Sequence, residues 1–391
     1  MHIDLTESQL ALRTELRRYF AELMSPQRKE ALRYADAGGS AYRDVVRQMG
    51  QDGWLGIGWP TEYGGQGASP MEQYLFFDEA QRAGVPVPLV TLNTVGPTIM
   101  KFGSDTQRSQ FLPAILAGEM HIAIGYTEPE AGTDLASLRT RAVRDGDEYV
   151  VNGNKVFTTG GHDADYVWLA ARTNPDAPKH KGISILLVDT SLPGFKATPI
   201  NTVGGSRTNA TYYQDMRVPL SALVGVENEG WKMITTQLNH ERVALAPVGH
   251  INGMVDTVAD WARTHRSSDG RRIIEHQSVA LALARVKARA EALKLFNWRV
   301  AWGLEGGELN PADASAMKVF GTELRIEAYR VLMDVVGSTS YLCEGSADQA
   351  LAGELERAYR QAPVGTFGGG VNEVQREIVA MAGLGMPRAP R

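Results

Sequence analysis

Glu148-Tyr-Val-Val-Asn-Gly-Asn-Lys-Val-Phe-Thr-Thr-Gly-Gly161 is rich in β-branched and aromatic residues, in a chain whose two ends are patterned for helix. Asn152-Gly153 between its two apolar runs predicts a type I′ hairpin, because both central residues of that turn need positive φ. Outward from it, Tyr166-Val-Trp-Leu-Ala-Ala, Ile183-Ser-Ile-Leu-Leu-Val and Thr211 to Val218 predict further strands. Towards the N-terminus, Thr6 and Gln9 form a T-x-x-Q capping pattern ahead of Leu12, Leu16, Phe20 and Leu23, which recur at helical spacing. Gly53 to Pro70 is full of helix breakers yet carries two Trp and one Tyr, which predicts an ordered loop, and helical patterning resumes over Met71 to Ala83. Towards the C-terminus, helical spacing returns at Asn228. It is clearest over Gln277 to Ala301 and Asp313 to Val336, the second behind Asn310-Pro311 in the N-cap and N1 positions. Long helices with short connections pack as an antiparallel bundle. The expected class is α+β, with a helical domain at 1–120, a β domain at 121–226 and a helical bundle at 227–391.

The 391 residues are 43% hydrophobic and 22% charged, the balance of a water-soluble globular protein with ample core. Lys and Arg number 40 against 45 Asp and Glu, a net charge of -5, so the basic excess of a nucleic-acid binder is missing. Cys343 is the single cysteine, which excludes an internal disulfide and makes a cytoplasmic protein the expectation. No run reaches the ~18 consecutive apolar residues of a membrane span. Met1-His-Ile-Asp-Leu-Thr-Glu7 lacks the basic and apolar regions of a secretory signal, so no membrane partner is expected. The eight His form no H-x-x-x-H pair or His/Cys cluster, and no metal site is expected. G-x-S-x-G, Walker A and G-x-G-x-x-G motifs are absent.

Four places can carry chemistry. Tyr126-Thr-Glu-Pro-Glu-Ala-Gly-Thr-Asp134 can offer backbone N–H groups and hydroxyls to a planar heterocycle or a phosphate; the same residues also suit a turn with Thr133 or Asp134 as N-cap. Phe157-Thr-Thr-Gly-Gly161 sets an aromatic beside hydroxyls at a strand end, which suits a stacked ring or a plain Gly turn. Trp231, Ile234, Leu238, Glu241 and Leu245 fall at spacings of three, four, three and four, so Glu241 lies on an apolar helix stripe. Burial there raises a carboxyl pKa towards that of a general base, unless a buried Arg pairs with it; Arg242, its neighbour, points elsewhere on a helix. Gly368-Gly369-Gly370 allows close backbone approach or a flexible break.

In order, these pieces resemble the acyl-CoA dehydrogenases, flavoproteins that desaturate acyl-CoA thioesters. The landmarks are Pro60-Thr-Glu-Tyr-Gly-Gly, Phe111-Leu-Pro-Ala-Ile-Leu-Ala-Gly-Glu119, Tyr126 to Asp134, Asn152-Gly-Asn-Lys155, Arg217-Val-Pro219 and Asn372-Glu-Val-Gln-Arg376, spread over nearly the whole chain. The resemblance implies an N-terminal helical domain, a central β barrel, a C-terminal four-helix bundle and an FAD cofactor. It implies that Thr127 and Thr133 face the flavin and the start of the CoA arm, with Tyr126 and Gly132 contributing backbone. Phe157 matches an aromatic, usually Trp, against the isoalloxazine, and Thr159 a hydroxyl near its N5. Thr133 and Arg242 fall on substrate-binding positions. Gly369 occupies the position of the usual catalytic glutamate; a subset of the family carries the base immediately before the Arg, at the position of Glu241.

Two segments depart from the family pattern. Where homotetrameric members lend a neighbour's FAD an Arg-x-x-Phe-Gly segment, this chain reads Arg266-Ser-Ser-Asp269-Gly270. Where they carry Gln-x-x-Gly-Gly-x-Gly, it reads Asp334-Val-Val-Gly-Ser-Thr-Ser340. Whether Arg266 and Gln277 still contact a flavin is left open. The wording as a whole resembles actinobacterial enzymes of steroid (cholesterol) side-chain degradation, which implies a heterotetramer with a related subunit, a bulky acyl-CoA substrate and an electron-transfer flavoprotein partner. The rival readings are an oxidase or flavin monooxygenase of the same fold, and a flavin-poor partner subunit without catalysis.

Overall fold

The computed structural model describes residues 3–33, 35, 37–240, 246–307 and 310–387. Among the described residues six α-helices come first: α1 Glu7–Leu23, α2 Pro26–Leu32, α3 Ser40–Gln51, α4 Pro70–Arg82, α5 Gly96–Phe102 and α6 Asp105–Leu116. Thr6 and Gln9 close the expected capping box on α1, and Leu16, Phe20 and Leu23 are buried. The Gly53–Pro70 stretch is ordered by Trp59, which is 3% exposed and donates its indole N–H to Leu92 O at 3.1 Å.

Eight strands follow: β1 Ile122–Gly125, β2 Arg141–Asp145, β3 Glu148–Lys155, β4 Tyr166–Arg172, β5 Ile183–Asp189, β6 Phe195–Asn201, β7 Arg207–Pro219 and β8 Leu223–Val224. They pair in the order β6-β7-β3-β2-β4-β5-β8, with β1 parallel to β4 on the edge that β2 meets at Arg141–Arg172. β4 reads as one apolar run because both its faces are buried. Val167, Leu169 and Ala171 fill the small core inside the β domain, while Trp168 and Ala170 pack into the large core of the N-terminal helices.

The expected hairpin at Asn152-Gly153 is corrected. β3 runs straight through it, and the two-residue turn is Gly146-Asp147, with Gly146 at φ 62° and Asp145 opposite Glu148. Gly153 instead sits at a register shift against β7, where a Cβ would lie 2.5 Å from Thr140 Oγ1. A glycine after asparagine answers here to close packing and a bulge, not to a turn.

The last part holds α7 Gly230–His240, α8 Gly249–Thr264, α9 Gln277–Glu305, α10 Pro311–Val336, α11 Glu354–Gln361 and α12 Asn372–Ile378. α8, α9 and α10 share one core, and α11 and α12 lie along α10. α4 also packs against α8 and α9. Its approach is close because a Cβ at Gly249 would lie 1.9 Å from Asp78 O and one at Gly253 would lie 2.6 Å from Arg82 O. Tyr74 to Asn297 Oδ1 at 3.3 Å and Gly249 N–H to Asp78 at 2.7 Å tie this crossing. No helix among the described residues is long and apolar enough to cross a membrane.

Candidate functional site

Two segments meet at one end of the β domain. The loop 126–134 leaves β1, and residues 156–161 leave β3; Val156 N–H donates to Thr127 O at 2.8 Å and makes them neighbours. A buried ion pair fixes the junction. Lys155, 0% exposed, donates to Glu128 Oε1 at 2.8 Å and to Tyr126 O at 3.0 Å. Glu128 in turn accepts from the N–H groups of Arg139 at 2.6 Å and Thr140 at 2.8 Å. Burial pushes the Glu128 carboxyl up, but the Lys155 charge and the three hydrogen bonds hold it below the usual range. Burial lowers the Lys155 ammonium to about 8 against the pull of Glu128.

Outside this anchor the segment turns polar and exposed. Gly132, Thr133, Phe157 and Thr159 are exposed, and Tyr126 and Thr127 are half-buried. Phe157 stands out: its ring is 63% exposed and its backbone sits at φ 59°, a conformation that bulky residues adopt only under strain. A strained, solvent-facing aromatic is what a stacked planar ligand would cover. Two residues on, Thr159 Oγ1 lies 3.1 Å from Thr208 Oγ1. One hydroxyl hydrogen is used between them, so the pair keeps one O–H donor to offer outward. The sharp turn offered as the alternative for this loop is partly present: Leu135–Ser137 forms a single 3₁₀ turn after Asp134, but no side chain caps it. Asp134 is held instead by Lys179 Nζ at 2.9 Å.

Behind the loop runs a relay that sequence reasoning missed. Trp168 Nε1 donates to Tyr126 Oη at 2.9 Å, and Tyr126 Oη meets Gln237 Oε1 of α7. The indole can only donate, so the phenol spends its single hydrogen on Gln237, whose amide oxygen accepts. Gln237 Nε2, buried in a side chain 1% exposed, is left with no partner among the described residues. No sequence periodicity signals this chain; only the third dimension joins β4, the 126 loop and α7.

Glu241 and Arg242 lie outside the described residues. The helix stripe that carries Glu241 is described only in its first part, where Ile234 is 1% exposed and Trp231 half-buried. Beyond the gap, Ala246 is buried and packs against Gly321 of α10. At the two departing segments, Asp269 is exposed and held ionised by Ser267 and Arg271, whose Nε stands 2.8 Å away, so much of its charge is offset locally. Arg266 reaches Gly270 O at 2.6 Å, Gln277 begins α9 in an exposed position, and Asp334 is exposed on α10. Among the described residues no group of three His, Cys, Asp or Glu could hold a metal ion.

Three family models cover the chain in order: the acyl-CoA dehydrogenase N-terminal domain over residues 6–119, its middle domain over 123–216 and its C-terminal domain over 228–384. The chain is 54% identical to acyl-CoA dehydrogenase FadE26 of Mycobacterium tuberculosis, all of both chains being covered. Its fold superposes on the crystal structure of the ChsE4-ChsE5 complex from the same organism with a TM-score of 0.93 at 55% identity, and on the Tcur3481-Tcur3483 steroid ACAD with 0.94 at 52%; both cover 100% of each chain. Helices before and after a β domain, an aromatic held out beside hydroxyls, and relatives alike over their full length lead to one conclusion: the chain belongs to the acyl-CoA dehydrogenase family.

Proposed function

We propose that this oxidoreductase, acting on the CH–CH bond of acyl-CoA thioesters, is the FAD-holding subunit of a heterotetramer that desaturates a bulky steroid side-chain acyl-CoA and passes electrons to an electron-transfer flavoprotein. The observation that carries the reading is the strained, exposed Phe157 beside the Thr159–Thr208 pair, across one backbone hydrogen bond from the 126–134 loop. An apolar ring face flanked by hydroxyl and backbone donors fits a flavin, so FAD would be held by Thr127, Thr133 and Thr159, the backbone of Tyr126 and Gly132, and the face of Phe157. FAD when bound supplies the hydride acceptor. The chain supplies the rest: Glu241 takes the α proton onto its carboxylate, while Thr133 and Arg242 hold the CoA side and the thioester. The units 1–120, 121–226 and 227–391 would divide the labour, with the β domain presenting the ring and the last unit the base. A single cysteine fits a cytoplasmic enzyme.

The relatives named as a complex and as a steroid enzyme support the partner and the substrate class. By the resemblance, Asp334 and, less strongly, Asp269, whose charge Arg271 offsets, fall where homotetrameric members meet a neighbour's pyrophosphate, which favours a flavin half-site completed by a different subunit. The test is flavin absorbance per protein mass for the chain alone and co-expressed with a related subunit, followed by anaerobic bleaching with acyl-CoA. One flavin per heterodimer is expected, and Glu241→Gln should keep it while slowing bleaching about 10²- to 10⁴-fold. A homotetramer with a flavin in every chain would refute the assembly. Near-normal bleaching by Glu241→Gln would move the base elsewhere, and peroxide release in air at the rate of turnover would make the protein an oxidase.

A further inference from the structure

We propose that Asn209 is a positioning residue: it grips the backbone of Thr158 on both sides, holds a bulge in place at Phe157, and so fixes the angle at which Phe157 and Thr159 meet a flavin ring. The inference rests on the reading that these two residues receive the flavin.

The bulge is read from the register of the two strands. β3 and β7 pair Gly153 with Tyr213, Asn154 with Tyr212 and Lys155 with Thr211. Carried on by two residues, that register would set Phe157 opposite Asn209. Instead the Thr158 N–H donates to Asn209 O at 2.9 Å, so one extra residue stands on the β3 side, as in a β-bulge. The extra residue is Phe157, and its φ of 59° is the left-handed conformation that such a position commonly gives to glycine. A phenylalanine stays there only if the backbone on either side is held. The Val156 N–H is held by Thr127 O at 2.8 Å, and Thr158 is held by Asn209.

Asn209 does more than extend the ladder. It is 0% exposed, and its side-chain Nδ2 donates to Thr158 O at 3.0 Å, so one residue takes both the N–H and the C=O of Thr158. The same Nδ2 lies 3.2 Å from His162 Nδ1, further along the same loop. A carbonyl only accepts, so Thr158 O fixes which way the amide faces and leaves Asn209 Oδ1 turned away. That oxygen is buried and has no partner among the described residues. An unpartnered buried acceptor lowers stability, and asparagine is a poor strand former. A leucine would fill a similar space with neither drawback. What it would lack is the donor to Thr158 O.

That grip acts on the two residues assigned to the ring. Thr158 is buried, while Phe157 before it and Thr159 after it are exposed. Thr158 Oγ1 lies 3.2 Å from Thr211 Oγ1, and Thr159 Oγ1 lies 3.1 Å from Thr208 Oγ1. These hydroxyl pairs hold side chains that can still turn about χ1. Asn209 holds peptide planes instead: the Thr158 N–H belongs to the peptide that joins Phe157 to Thr158, and the Thr158 C=O to the peptide that joins Thr158 to Thr159. Since each peptide is planar, fixing both leaves Phe157 and Thr159 little freedom to swing.

The experiment compares wild type and Asn209→Leu in the complex with the related subunit. Amide hydrogen exchange is read over residues 157–161, where the N–H groups of Thr158, Thr159 and Gly161 are hydrogen-bonded. Visible circular dichroism of the bound flavin reports the surroundings of its ring. In Asn209→Leu, exchange over 157–161 should speed up about tenfold or more, with the peptides of β4 and β5 unchanged. The dissociation constant of the flavin should rise about tenfold, because the ring face is no longer pre-organised, and the dichroism of the flavin still bound should change. An asparagine that only supports the fold would leave that dichroism as it is. Unchanged exchange, or faster exchange with wild-type flavin affinity and dichroism, would overturn the inference. Should Asn209→Leu fail to fold, Asn209→Ala, which removes the donor and adds no bulk, should give the same pattern, and its absence there would equally refute the grip. If the wild-type complex binds no flavin, the functional reading fails, and exchange still decides whether Asn209 holds the bulge.

Discussion

Lys155→Met removes the cation under the 126–134 loop and keeps its length. Glu128 is then a carboxylate in a side chain 8% exposed, facing no counter-charge. Breaking a buried pair from one side costs about 3–5 kcal/mol. Two backbone donors, Arg139 and Thr140 N–H, still satisfy Glu128, which places the expectation near the lower end, about 3 kcal/mol. Tyr126 O also loses its donor at 3.0 Å, adding about 1 kcal/mol. The double variant Lys155→Met/Glu128→Gln has no orphaned charge and should regain about 2 kcal/mol over the single one. The sign of the pH dependence is a second check. The folded Glu128 pKa lies below its usual 4.5, so the pair's contribution is present above that value and is lost as pH falls through the folded one. Lys155→Met should abolish or invert that acid loss. Urea unfolding of the four members of the cycle, at pH 7 and in acid, gives these numbers, and flavin content reports on the loop. A single variant costing less than about 1 kcal/mol, or a double variant no better than the sum, would refute the view that this pair anchors the loop.

Tyr126→Phe removes the hydroxyl between Trp168 and Gln237 and leaves a buried indole N–H and a buried amide unpaired, which should cost about 1–3 kcal/mol by urea unfolding; an unchanged midpoint would mean the relay contributes nothing. Burial, aided by Arg43, lowers His121 to about 4 from 6.5. The depressed folded value means its contribution is full above pH 6.5 and lost as pH falls, about 2 kcal/mol between pH 7.5 and 5. His121→Asn should flatten the pH dependence by that amount, and parallel stability curves for the two proteins would refute the assignment.

The order of helical and β segments was legible because periodicity is local: the Thr6 capping box, the Asn310-Pro311 start of α10 and the apolar run of β4 each declare themselves within a few residues. Asn152-Gly153 misled because the same dipeptide serves a turn or a bulge, and only Thr140, pressed against Gly153 from β2's approach, distinguishes them. Gly146-Asp147 carried an equally valid turn signal a few residues earlier. An aromatic at a strand end was legible in Phe157-Thr-Thr-Gly-Gly161, but its exposure and positive φ were not, since nothing in Phe-Thr-Thr favours the left-handed region. Lys155 and Lys318 were illegible as buried charges for a simpler reason. A lysine in sequence reads as surface, and its burial is set by acceptors that come from segments 27 to 54 residues away.

Those two lysines share a logic that bears on function. A segment that must present groups to a ligand cannot bury its own side chains for stability, so it is ordered only if something holds its backbone from behind. Hydrophobic contacts grip a loop with no preferred orientation; a buried ammonium ending on a named carbonyl fixes both place and direction. Lys155 does this for Tyr126 O, next to Thr127, and Lys318 does it for Thr366 and Gly370. Both have their ammonium lowered to about 8 by burial. They differ in what offsets the charge: Lys155 has Glu128 in contact, whereas Lys318 has only neutral oxygens within hydrogen-bond reach. The junction that Lys155 holds is therefore the more firmly fixed of the two, since a counter-charge adds to its hydrogen bonds.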